Sequence, residues 1–187
     1  QARRRAREQA AAGYDFLKIH PGLTRAEYDA VADEAARLGI PFGGHVPAEV
    51  GLPRAIAAGQ RTIDHLDGFM QALVDDDALA ASGGGSLFGL ALASSVNLDR
   101  LPGLVERLRQ AGTWVVPTET LIENFAAADR IPALLERPEI DYLPPALRQR
   151  YRDALARASL GSVAAQRALA VRKRRSRHST MPASGCC

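Results

Sequence analysis

At 187 residues and 47% hydrophobic content, the chain is long enough to form one domain with a real core. No apolar run approaches the roughly 18 residues needed to span a bilayer. No apolar segment stands behind the basic residues of QARRRAREQAAAGY, so no secretory signal is expected in this chain; it does not begin with Met, and an upstream piece is expected.

The elements follow in chain order. DFLKIH (Asp15 to His20) reads as a short apolar strand that carries a lysine among Phe16, Leu17 and Ile19. A buried lysine is costly unless it is paired or chemically altered. TRAEYDAVADEAARLG reads as a helix with Thr24 as N-cap, Glu27 completing a capping box and Gly39 as its stop; Ala26, Val31, Ala35 and Leu38 are its expected apolar face. IPFGGHV (Ile40 to Val46) is a second strand, VGLPRAIAAG a short helix ending at Gly59, and RTIDHLDG (Arg61 to Gly68) a third strand. SGGGS (Ser82 to Ser86) marks a flexible loop. NLDRLPGLVERLRQAG is a helix capped by Asn97 and stopped at Gly112, and TWVVPT (Thr113 to Thr118) is the fourth strand. Beyond it the pattern is helical, with Pro144 and Pro145 opening a helix.

Strands alternating with helices at this spacing predict an α/β fold with a parallel sheet, either part of an eight-fold barrel or a small doubly wound sheet. Nucleotide-binding readings lose ground, because no Gly-x-Gly-x-x-Gly opens a helix and no phosphate-loop motif occurs. Residues 1–171 are expected to form the domain. Residues 172–187 are expected to be a basic tail, disordered or from a shifted reading frame. RKRRSR (Arg172 to Arg177) holds five of the chain's positive charges, so a net charge of +3 leaves the remainder at −2. No aromatic residue is interleaved with it, so specific nucleic-acid binding is not expected. Cys186 and Cys187 are adjacent and make neither a disulfide framework nor a zinc spacing.

Three consecutive strands carry an unusual polar residue near the carboxyl end: Lys18, His45 and His65. Sites in parallel βα architectures are built at that end. Neutral imidazoles suit a zinc-like ion. A lysine ammonium has three donors and no acceptor, so it cannot ligate; a neutral amine that adds carbon dioxide becomes a carbamate that can. The alternatives for Lys18 are snorkelling to the sheet end or pairing with Asp64 or Asp67. His20 shares strand parity with Lys18 and is a candidate substrate contact, or simply the first loop residue before Pro21.

YDFLKIH, LGIPFGGHVPAEVGLPRAIAAGQRTIDHLDGF and AGTWVVPT resemble strands four to seven of the metal-dependent amidohydrolase superfamily, above all its imidazolonepropionase-like and Xaa-Pro dipeptidase-like members. The likeness runs from about Gly13 to Tyr151. It implies part of a TIM-type (β/α)8 barrel, one or two divalent metals (zinc foremost), and hydrolysis of amide or other C–N bonds in small amide or dipeptide-like substrates. It also implies that Lys18, as a carbamate, joins His45 and His65 as metal ligands. The family's His-x-His pair and its eighth-strand aspartate have no match, so the chain is expected to be inactive alone. Open barrel edges would favour self-association. SGGGS and the segment Glu119 to Tyr142 are expected to lie over the mouth as a lid. The competing reading is a non-catalytic α/β scaffold that binds partners through its basic tail.

Overall fold

Three-residue strands alternate with longer helices through most of the chain. The computed structural model describes residues 1–82, 87–126, 131–158 and 162–179. The strands β1 (Leu17–Ile19), β2 (Phe42–Gly44), β3 (Thr62–Asp64) and β4 (Trp114–Val116) form one parallel sheet in the order β1-β2-β3-β4. Its register pairs Lys18 with Gly43, Gly44 with Ile63 and Ile63 with Val115. The expected α/β class and parallel sheet are therefore present, and the sheet is open. Each strand is shorter than its sequence pattern, which leaves His20, His45 and His65 just past the strand ends.

Before the sheet, α1 (Ala2–Ala11) docks on α2 (Arg25–Leu38). Ala6 is buried between them, and Arg3 and Arg7 reach Glu34 at 3.8 and 3.4 Å. The basic opening of the sequence thus has a partner in a buried carboxylate, which Arg37 also grips. Helix α2 begins with the capping box of Thr24 and Glu27 and ends at a left-handed Gly39, as its sequence signals require. Its buried face matches the expected one at Ala35 and, in part, at Val31, and differs at Ala26 and Leu38. Tyr28, Ala32, Glu34 and Ala35 are buried, whereas Leu38 is 36% exposed. A tyrosine able to hydrogen-bond inside the core won the central position.

One face of the sheet is covered. Leu17, Ile19, Phe42 and Ile63 pack against α2, against α3 (Leu52–Ala57), and against Leu101, Leu104 and Leu108 of a later helix, α6 (Leu101–Gln110). Fully burying side chains of this kind contributes about 1.5–3 kcal/mol each. Because successive residues alternate across a strand, Phe16, Lys18, Thr62, Trp114 and Val116 fall on the opposite face. There Phe16 is 38% exposed and Trp114 64% exposed. The expectation of a lysine in a buried strand is corrected here: Leu17 and Ile19 are buried, while Lys18 is solvent-accessible on the uncovered face.

After β3 come α4 (Phe69–Ala72), α5 (Asp76–Ala81) and a 3-10 segment over Leu87–Ser94. Positions 83–86 of the expected glycine-rich lid lie outside the described residues. Asn97 caps a short 3-10 turn that leads into α6, and Gly112 follows that helix in the left-handed conformation. Beyond β4 lie α7 (Glu119–Ala126), α8 (Ile131–Leu135), α9 (Pro145–Ala158) and α10 (Ser162–Ser179). Ile122 of α7 is buried in a second apolar cluster with Met70, Leu90, Leu92 and Ala168, so the start of the expected lid segment is packed into the body. Helix α10 also runs through the expected domain boundary after Val171. Arg172, assigned by sequence to the basic tail, is fully buried, and residues 180–187 lie outside the described residues.

Candidate functional site

Local sequence fixes where β2 stops. A Cβ on Gly43 would clash with Thr62 Oγ1 and meet the Thr62 backbone nitrogen at 2.8 Å. Gly44 has φ +117°, a region closed to L side chains, and lies against the Ile19 carbonyl. This pair of glycines lets three strands close up immediately before His45. The His45 backbone N–H then donates to Ile19 O at 3.2 Å, and its Nδ1–H donates to Asp67 Oδ2 at 2.8 Å. Asp67 also accepts from Val46 N–H at 3.3 Å.

The turn after β3 is strained. His65 and Leu66 have φ of 59° and 58°, and Thr118 after β4 has φ 52°. Left-handed non-glycine residues cost about 1–3 kcal/mol each and persist only where surrounding contacts hold them. Here the His65 N–H donates to Val116 O at 2.8 Å, and His65 Nδ1 meets Thr118 Oγ1 at 2.7 Å. The Thr118 hydroxyl spends its single hydrogen on Pro117 O at 2.7 Å, so it accepts from His65 Nδ1–H. In their neutral forms both histidines are thus Nδ1–H tautomers, in which Nε2 carries the lone pair. Their rings lie side by side with centroids 4.7 Å apart. Burial, then the neighbouring His45, push the His65 pKa below its ordinary value, which favours the neutral form.

By the strand register Lys18 lies two residues below His45 and three below His65, and it reaches up to an ion pair with Asp64. Of the two partners weighed from sequence, Asp64 is the one it takes. His20 is exposed and sits 6.2 Å from His45, ring to ring. The fold therefore gathers Lys18, His20, His45 and His65 at one end of the sheet. A cavity of about 790 Å³ opens on the His45 side of this group, bounded by Pro21, His45, Val46, Leu52, Asp67 and Phe88. Its size is that of a small-molecule site.

Gln60 is a site-shaping residue that the sequence pattern did not mark. It is fully buried; its Nε2 donates to Thr62 O at 2.9 Å and to the Gly44 and His45 carbonyls at 3.2 Å. Its Oε1 accepts from Tyr28 O–H at 2.7 Å. This amide ties the end of β2 to the start of β3. Its only signal in the sequence was a polar residue between a helix-stopping glycine and a strand.

The fold has a counterpart among solved structures. The chain is similar to bottromycin amidohydrolase, with a TM-score of 0.56 at 22% identity, over 94% of this chain and 36% of that one. The likeness is one of fold. The chain spans about a third of that protein's length. The sequence matches no family profile and no curated protein.

The residues fit a metal in part. Two adjacent imidazoles with fixed tautomers and a carboxylate behind one of them are a suitable donor pair for a zinc-like ion. Among the described residues, no three His, Cys, Asp or Glu side chains form a ready cage. The amine of Lys18, turned onto Asp64, is not a ligand in this form. No helix among the described residues is long and apolar enough to cross a membrane.

Proposed function

We propose that the chain is part of a metal-dependent hydrolase of amide or related C–N bonds, built on a partial (β/α)8 barrel. The single observation that carries the reading is the side-by-side placement of His45 and His65, each with Nδ1 engaged in a hydrogen bond. In this reading His45 and His65 hold a divalent ion, zinc foremost, and Lys18 becomes the third ligand once carbon dioxide converts its amine to a carbamate. A divalent ion there would polarise a carbonyl and lower the pKa of water. The chain's own residues orient and shield: Asp67 fixes the His45 ring, Thr118 fixes the His65 ring, and the cavity beside His45 would take a small amide or dipeptide-like substrate, with His20 as a candidate contact near its edge at Pro21. The family's His-x-His pair and eighth-strand aspartate remain unmatched in the sequence, so turnover by this chain alone is not expected.

The ion pair of Lys18 with Asp64 favours a second reading, a non-catalytic scaffold in which that pair is structural. Metal stoichiometry of the purified chain, with and without bicarbonate, separates the two. The hydrolase reading expects near one zinc per chain, raised by bicarbonate and lost in both Lys18→Ala and His65→Ala. Folded protein that takes up no metal in either buffer would leave the scaffold reading standing.

A further inference from the structure

A buried arginine is costly and is tolerated where hydrogen bonds and an opposite charge offset its desolvation. Arg172 of α10 has no exposed side-chain surface. Its Nη2 donates to His65 O at 2.9 Å and to Pro117 O at 3.1 Å, and its Nε donates to Glu119 Oε2 at 3.1 Å. Those two carbonyls belong to the turns after β3 and β4. One is the carbonyl of the left-handed His65 and the other immediately precedes the left-handed Thr118. These same two residues share the Nδ1–H to Oγ1 hydrogen bond that sets the His65 tautomer. One guanidinium therefore holds both strained turns at the separation their hydrogen bond needs. Burial pulls the Arg172 pKa down, and the Glu119 carboxylate opposes that shift, which keeps the cation in place.

We propose that Arg172 is a positioning residue for His65: through α10 it clamps the ends of β3 and β4 and so fixes which His65 nitrogen is free. The distant part of the chain that looks like a charged tail thereby sets the geometry of the site. The consequence for metal binding rests on the hydrolase reading, but the clamp itself does not, because it can be observed on metal-free protein.

The test is ¹⁵N NMR of the histidine side chains at a fixed pH of about 8, on metal-free wild type, Arg172→Met and Arg172→Lys. The lysine variant keeps a buried cation beside Glu119 and loses the planar fork, so it preserves the fold where the methionine variant does not. In wild type we expect His65 to show one tautomer, protonated at Nδ1. In the folded variant it should average between tautomers, while amide exchange at His65 and Thr118 speeds up by about tenfold or more and the Tyr28 amide is unaffected. A cobalt titration adds the functional readout, with affinity lowered about 10–100-fold in the variant. A folded Arg172→Lys that keeps the wild-type His65 signature and protection would overturn the proposal, as would an equal loss of protection at Tyr28. If wild type binds no cobalt, the hydrolase reading fails and the NMR result still decides the clamp.

Discussion

Replacing Tyr28 by Phe removes one oxygen from the centre of the core. Tyr28 and Gln60 are both fully buried, and their hydrogen bond is 2.7 Å long. The ring stays and the void is smaller than a methyl group, so the cavity contribution is small. What remains is a buried Gln60 Oε1 without a donor, which costs about 1–3 kcal/mol. We expect a loss of about 2 kcal/mol, or a Tm lowered by roughly 4–8 °C for a chain of this size. Urea unfolding followed by circular dichroism, with an unchanged m-value, measures it. Gln60→Leu should cost more, because three carbonyls at the ends of β2 and β3 lose their shared donor. In that background Tyr28→Phe should cost less than about 0.5 kcal/mol, since the hydroxyl has already lost its partner. Equal costs in both backgrounds, or a loss below about 0.5 kcal/mol in the parent, would show that the pair does not act as described.

Gly44→Ala should destabilise by about 2 kcal/mol or more, because φ +117° is closed to alanine and its Cβ would sit 2.8 Å from Ile19 O; chemical denaturation reads this directly. Glu34 has its pKa lowered, first by the hydrogen bond from Arg37 and then by the charges of Arg37, Arg7 and Arg3. A depressed carboxyl pKa stabilises the fold above the unfolded value of about 4.3 and loses that contribution as pH falls through the folded value. Thermal melts between pH 5 and 2 should therefore fall more steeply in the parent than in Glu34→Gln. Trp114 is the chain's single tryptophan and is 64% exposed. Its emission should be water-like and readily quenched by acrylamide, and Trp114→Ser should change stability by less than about 0.5 kcal/mol. A blue-shifted, protected emission would mean that the open face is covered in solution.

The sequence by itself determined what short-range chemistry controls. Thr24, Glu27 and Gly39 bounded α2 because caps are local hydrogen bonds and backbone preferences. The alternation of strands and helices implied a parallel sheet, and the placement of Lys18, His45 and His65 in or just after consecutive strands brought them near one another. Only the tertiary structure decided what each polar group faces. It turned Lys18 onto Asp64 on an uncovered face, and it buried Tyr28 rather than Leu38 because Gln60, just beyond α3, accepts the hydroxyl's hydrogen bond. It also drew Arg172 out of an apparently solvated charge run and beneath two strained turns more than fifty residues away in sequence. Charge runs look alike in sequence whether solvated or buried. The partners that make burial tolerable are carbonyls and carboxylates brought near by the fold, and composition carries no trace of them.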